Sequence, residues 1–131
     1  MRTVVVSLLV AIVSAGLALP SAAHHSFAAQ YDPEKPVTLT GVVTKVEWTN
    51  PHARFYMDVK DAKGNVVNWN LELASPNYLK RAGWSSTSLK QGDTITVEGS
   101  LARSGANMAN ARLVTLADGS RVFARSTADA N

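Results

Sequence analysis

Cysteine is absent from the 131 residues. That excludes disulfides and lipid attachment through a cysteine, so the fold must rest on its core, helped at most by a metal. Surplus charge is lacking as well. The formal balance is +3, and +2 once Arg2 is set aside with the leader described below, too little to point to nucleic acid. With 18% charged and 46% apolar residues, the chain lies outside the polar, highly charged range of disordered sequences and suits one globular domain. There is no Gly-rich phosphate loop, and no serine sits in a Gly-x-Ser-x-Gly strand-turn-helix context. The acidic pairs Asp32 with Glu34 and Asp58 with Asp61 stand in charged surface surroundings that suggest no shared acid-base pocket. The chain reads more as a binding protein than as an enzyme.

What is present begins with a leader. Arg2 gives a positive start, Val4 to Leu19 is apolar apart from Ser7, Ser14 and Gly16, and Pro20-Ser21-Ala22-Ala23 supplies small residues for a signal peptidase. Cleavage after Ala23 fits best, because it puts Ser21 and Ala23 at the two positions that must be small. A retained anchor fits worse: a stretch of 16 residues falls short of the roughly 20 that span a bilayer. Residues 1–23 are therefore expected to be a cleavable signal, and the mature chain to be periplasmic or secreted with no stable membrane span.

Residues 24–36 carry two prolines and no sustained periodicity, and read as an N-terminal arm anchored by Phe27 and Tyr31. From Val37 to Trp48 the residues are β-branched and largely alternating, with Gly41 where a bulge or bend fits, until Asn50-Pro51 breaks the strand. Arg54 to Lys60 and Val66 to Leu73 make a hairpin around Asp61 to Asn65. Phe55, Met57, Val59, Val67, Trp69, Leu71 and Leu73 share its core face; Arg54, Tyr56, Asp58, Asn68, Asn70 and Glu72 share the face expected to meet water. Ser75-Pro76 starts a short helix that Gly83 stops. Thr94 to Ser100, Ala109 to Leu116 and Arg121 to Ala124 complete the strands, with Asp118-Gly119 as a tight turn.

A single short helix between the third and fourth strands favours an all-β fold, a small OB-like five-stranded Greek-key barrel spanning residues 37–125, with a small β-sandwich as the alternative. Residues 126–131 are expected to form a disordered tail. The stretches HHSFAAQYD (24–32), VTKVEWTNPHARFYMDV (43–59), NWNLEL (68–73), GDTITVEGS (92–100) and ARLVTLADG (111–119) together resemble an uncharacterised family of small bacterial exported proteins, a domain of unknown function. The resemblance covers nearly all of the mature chain. It implies export and a single domain, and brings no activity with it.

The three histidines fall at two places, His24-His25 at the expected new terminus and His52 in the turn after Pro51. The free amine and imidazole of His24 could chelate one metal ion, since both groups give up a proton to a metal near neutral pH. This resembles the N-terminal histidine brace of copper oxygenases and some periplasmic copper carriers, in which a second histidine completes the nitrogen set; His52 or His25 would serve here. An all-nitrogen site suits Cu(II), with zinc also open. The plainer reading leaves His24 and His25 as solvated residues and His52 as a turn residue. A second candidate is the hairpin face of Arg54, Tyr56, Asn68, Asn70 and Glu72, where OB folds bind oligomers. One tyrosine beside acidic residues does not make a nucleic-acid platform, so a peptide, glycan, small ligand or envelope protein is the partner class for that face. A copper-dependent oxidoreductase is a third reading.

Overall fold

The computed structural model describes residues 27–123. The expected leader, His24, His25 and the tail at 126–131 lie outside the described residues. Residues 27–30 are helical. They lead into β1 (Tyr31–Glu47), followed by β2 (Arg54–Lys60), β3 (Val66–Glu72), the helix α1 (Pro76–Arg81), β4 (Thr94–Ala102), β5 (Met108–Leu116) and β6 (Arg121–Phe123). The all-β expectation holds, with six strands in place of the five expected, and a short helix falls between the third and fourth strands as expected, in addition to the helical turn at 27–30.

One sheet contains all six strands in the order β3-β2-β1-β4-β5-β6, so the sandwich alternative does not apply. Every neighbouring pair in that order is antiparallel. The sheet also curls until β3 meets β5 in parallel, with Asn70, Leu71 and Glu72 opposite Met108, Ala109 and Asn110. Closure through so short a seam leaves a curled sheet rather than a clean barrel.

The curl depends on β1, whose earlier part pairs with β4 and whose later part pairs with β2. Gly41 belongs to both ladders. A Cβ there would run into the carbonyl oxygen of Asp58, and one on Gly99 would run into that of Asn110. At these two places the backbones approach too closely for any side chain. The β1–β2 register slips between Val43 and Lys45, and the β4–β5 register between Glu98 and Gly99, which bends the strands further.

The first strand begins at Tyr31 rather than at Val37. Tyr31 pairs with Ala102 and Pro36 with Ser100, with an irregular stretch between them that holds Pro33. A proline cannot donate to the ladder, so the interruption follows from its chemistry. Residues 31–36 of the expected arm are thus docked strand. Arg103 fastens it: its Nε donates to the Ala28 carbonyl (2.7 Å), its backbone N–H to Gln30 (2.9 Å), and its guanidinium pairs with Asp32 (3.2 Å).

The core gathers Phe55, Met57, Leu71 and Leu73 from the hairpin with Val43, Ile95, Val97, Ala109, Ala111 and Val114. α1 closes one end. Ser75 caps it by accepting from the Tyr78 N–H at 3.3 Å, Pro76 takes the first turn, and Leu79 is buried with Trp84 and Leu89 beyond it. Trp69 is in phase with the core but only half-buried, because β3 meets β5 at residues 70–72 and Trp69 lies outside that seam. Among the described residues no helix is long and apolar enough to cross a membrane.

Candidate functional site

Glu72 is the last residue of β3 and stands directly across the hairpin from Arg54. Strand alternation places it on the face expected to meet water. The structure corrects this: Glu72 is only 6% exposed. It is enclosed because the chain covers the seam between β3 and β5 with the start of β1, and Tyr31, itself fully buried, reaches across to it.

Four side chains converge there. His52 Nδ1 lies 2.9 Å from Glu72 Oε1. Arg54 and Tyr31 both donate to Oε2, the tyrosine hydroxyl at 2.8 Å. Arg54 also donates to Asn70 Oδ1 at 3.2 Å. From β5, Asn110 Nδ2 donates to the Glu72 carbonyl at 3.5 Å, while its Oδ1 has no partner among the described residues despite burial. Burial, followed by the hydrogen bond to Glu72 and its charge, pushes the Tyr31 phenol well above its ordinary range. Tyr31 therefore stays a donor.

A carboxylate accepts and does not donate, so the proton shared between His52 and Glu72 sits on Nδ1. In a neutral ring Nε2 then carries the lone pair; the side chain is 29% exposed. His52 follows the Asn50-Pro51 peptide, which is cis, and precedes β2.

The two sequence-derived sites therefore meet. His52, from the metal candidate set, and Arg54, Asn70 and Glu72, from the hairpin face, belong to one connected cluster. His24 and His25 lie outside the described residues. Among the described residues no group of three or more His, Asp or Glu could hold a metal, and His52 is the one histidine.

The rest of the hairpin face is occupied with itself. Asn68 donates to Asp58 (2.8 Å) and to Thr44 (3.2 Å), and the Tyr56 hydroxyl donates to Glu47 at 3.4 Å. Lys45 bonds to Glu47 as well, and draws its carboxyl below the usual range. At the far end of the hairpin Val42 and Val66 are exposed, 43% and 59%, beside a depression that Thr40, Gly41, Asp58 and Lys60 also line.

Sequence reasoning named Tyr31 as an anchor but not as a partner of Glu72, and it overlooked Asn110 and Arg103. No local signal carries these assignments. They depend on the β3–β5 seam and on β1 running back over it.

No curated protein and no solved structure matches the chain. A family model does match residues 11–111, a span that contains Tyr31, His52, Arg54, Glu72 and Asn110. The chain belongs to that family, described as a family of unknown function, DUF6152.

Proposed function

We propose that this is an exported, periplasmic binding protein that takes up Cu(II) through the amine and imidazole of a mature N-terminal His24, with His52 as the second imidazole. The observation that carries this reading is the shared carboxylate. Tyr31 and His52 bond to the two oxygens of Glu72, so the start of β1 is fixed beside the one imidazole of the described chain. Phe27 packs on Tyr31 with ring centroids 5.4 Å apart, and only three residue steps separate it from His24. At roughly 3.3 Å per residue that tether spans at most about 10 Å from Phe27.

Export rests on the leader with its small-residue cleavage site and on the free terminus that such processing creates. Nitrogen donors of this kind favour copper over the other common divalent ions. The hairpin-face reading has less support, since Arg54, Asn68, Asn70 and Tyr56 already bond to neighbours.

Titration calorimetry with Cu(II) tests the proposal on protein that begins at His24 and on protein with one alanine added before it. The extra residue replaces the His24 amine by an amide, so binding should weaken strongly while the fold is kept. Equal, weak binding by both proteins refutes the proposal.

A further inference from the structure

Asn70, Leu71 and Glu72 have β5 on their far side, but the seam stops there, and residues 66–69 of β3 continue the sheet's edge with no strand beside them among the described residues. Two hydrogen bonds show which backbone groups that edge presents. The Asn65 carbonyl accepts from the Asp61 N–H on the β2 side, and the Asn70 N–H donates to Asn107 on the opposite side. Alternation between these fixed points turns the N–H and C=O groups of Val66 and Asn68 outward, away from β2. The side chains do nothing to guard them. Residues 65–70 read Asn-Val-Val-Asn-Trp-Asn, without charge or proline; Val66 is 59% exposed, and Val67 and Trp69 are half-buried on the other face. Edges are ordinarily kept from pairing by brevity, charge, proline or a bulge. The sheet's other edge, β6, has three residues and begins with Arg121, whereas the β2–β3 ladder runs to the end of the hairpin without a bulge.

We propose that the free edge of β3 is the surface through which two copies of this chain associate, antiparallel across a two-fold axis at Val67, with Val66 of each copy opposite Asn68 of the other. This register uses both outward rungs, each exchanging a pair of N–H···O bonds. It is isologous, as a two-fold requires. The length of the free edge fits it: beyond Asn65 the added strand turns back at Gly64, whose φ is 86°, and the turn falls level with Asn70, where Asn107 already fills the lane. The charges fit as well. Lys60 stands opposite Val66 and Asp58 opposite Asn68, so the two-fold puts Lys60 of one copy in the same cross-strand row as Asp58 of the other. Sliding the register to set Val66 against Val66 would put Lys60 in line with Lys60 and leave Asn68 opposite the turn. On the other face Val67 meets Val67, and Trp69 lies opposite Asn65 of the second copy.

Strand addition over so few residues buries well under the roughly 1,200 Å² at which standard interfaces begin, so the dimer is weak and its population depends on concentration. The association needs no metal and stands apart from the copper reading.

Sedimentation velocity on metal-free protein beginning at His24 should show the average mass rising from monomer toward dimer between micromolar and millimolar concentration. Hydrogen exchange at the Val66 and Asn68 amides should slow over the same range. Val67→Lys and Val67→Glu each set like charges directly across the axis, and each should stay monomeric at every concentration where wild type associates. An equal mixture of the two should associate, because a cation then faces a carboxylate. Far-ultraviolet circular dichroism checks that both variants keep the fold. A wild type that is monomeric throughout overturns the proposal, and so does a mixture of folded variants that stays monomeric or a single variant that associates as wild type does. Slow exchange at Val66 and Asn68 already in the dilute monomer overturns it too, since another part of the chain then holds the edge.

Discussion

Replacing Tyr31 by phenylalanine removes one oxygen from a fully buried ring and nothing else. The ring keeps its packing, including the contact with Phe27 at 5.4 Å. The lost interaction is the 2.8 Å hydrogen bond to Glu72 Oε2. Hydrogen bonds to charged partners contribute about 1.5–3 kcal/mol, whereas leaving a buried charge wholly unpaired costs about 3–5 kcal/mol. Because Arg54 still bonds to Oε2, the lower range applies and the expected loss is about 2 kcal/mol. For a domain whose total stability is about 5–15 kcal/mol, a urea titration resolves that loss easily.

The same variant has a signature in alkali. Tyr31 is held protonated in the folded chain and ionises at its ordinary pKa in the unfolded one. Its contribution is thus fully present below about pH 10 and is lost as pH rises from there toward the raised folded value. Wild type should lose stability more steeply than Tyr31→Phe above pH 10, so that the two proteins converge. A loss under about 0.5 kcal/mol at neutral pH, the size usual for surface changes, together with parallel alkaline slopes, would refute the buried Tyr31–Glu72 bond.

Further perturbations separate packing from tethering. Trp84→Ala should cost about 3–5 kcal/mol and lower the melting temperature more than Trp69→Ala, since Trp84 is buried and Trp69 only half so; the reverse order would show that the seam is misplaced. Gly99→Ala should destabilise by about 1–3 kcal/mol in a chemical denaturation, because the new methyl meets the Asn110 carbonyl oxygen, and an unchanged midpoint would contradict the close approach of β4 to β5. Arg103→Ala removes the bonds to Ala28 and Asp32, so amide exchange at residues 27–32 should quicken while exchange in β2 and β3 stays slow.

The hairpin of β2 and β3 was legible because its signals are local: alternation on both sides of a loop from Asp61 to Asn65, in which Asp61 accepts from the N–H groups of Lys63 and Asn65. The helix was legible for the same reason, with Ser75 and Pro76 adjacent at its start. Alternation says which face of a strand a residue takes, however, and not what will cover that face. Glu72 was therefore placed toward water, although a parallel seam to β5 and a strand starting at Tyr31 enclose it. Trp69 takes the core face as its phase indicates and packs against the core, but outside the seam it is only half-buried. The prolines at 33 and 36 concealed the beginning of β1, since they suppress the pairing pattern without preventing the chain from docking. His52 stood out as one of three histidines, but the carboxylate that orients it lies on another strand, and no spacing along the chain announces it.

The central claim of the proposed function is that His52 and the His24 terminus bind the same Cu(II) ion. Pulsed electron paramagnetic resonance on copper-loaded protein beginning at His24 addresses it directly, because the remote nitrogen of each equatorial imidazole modulates the electron spin echo. Wild type should show the combination lines produced by two coordinated imidazoles, and His52→Ala should lose them and retain the pattern of a single ring. Identical spectra from the two proteins would contradict the claim.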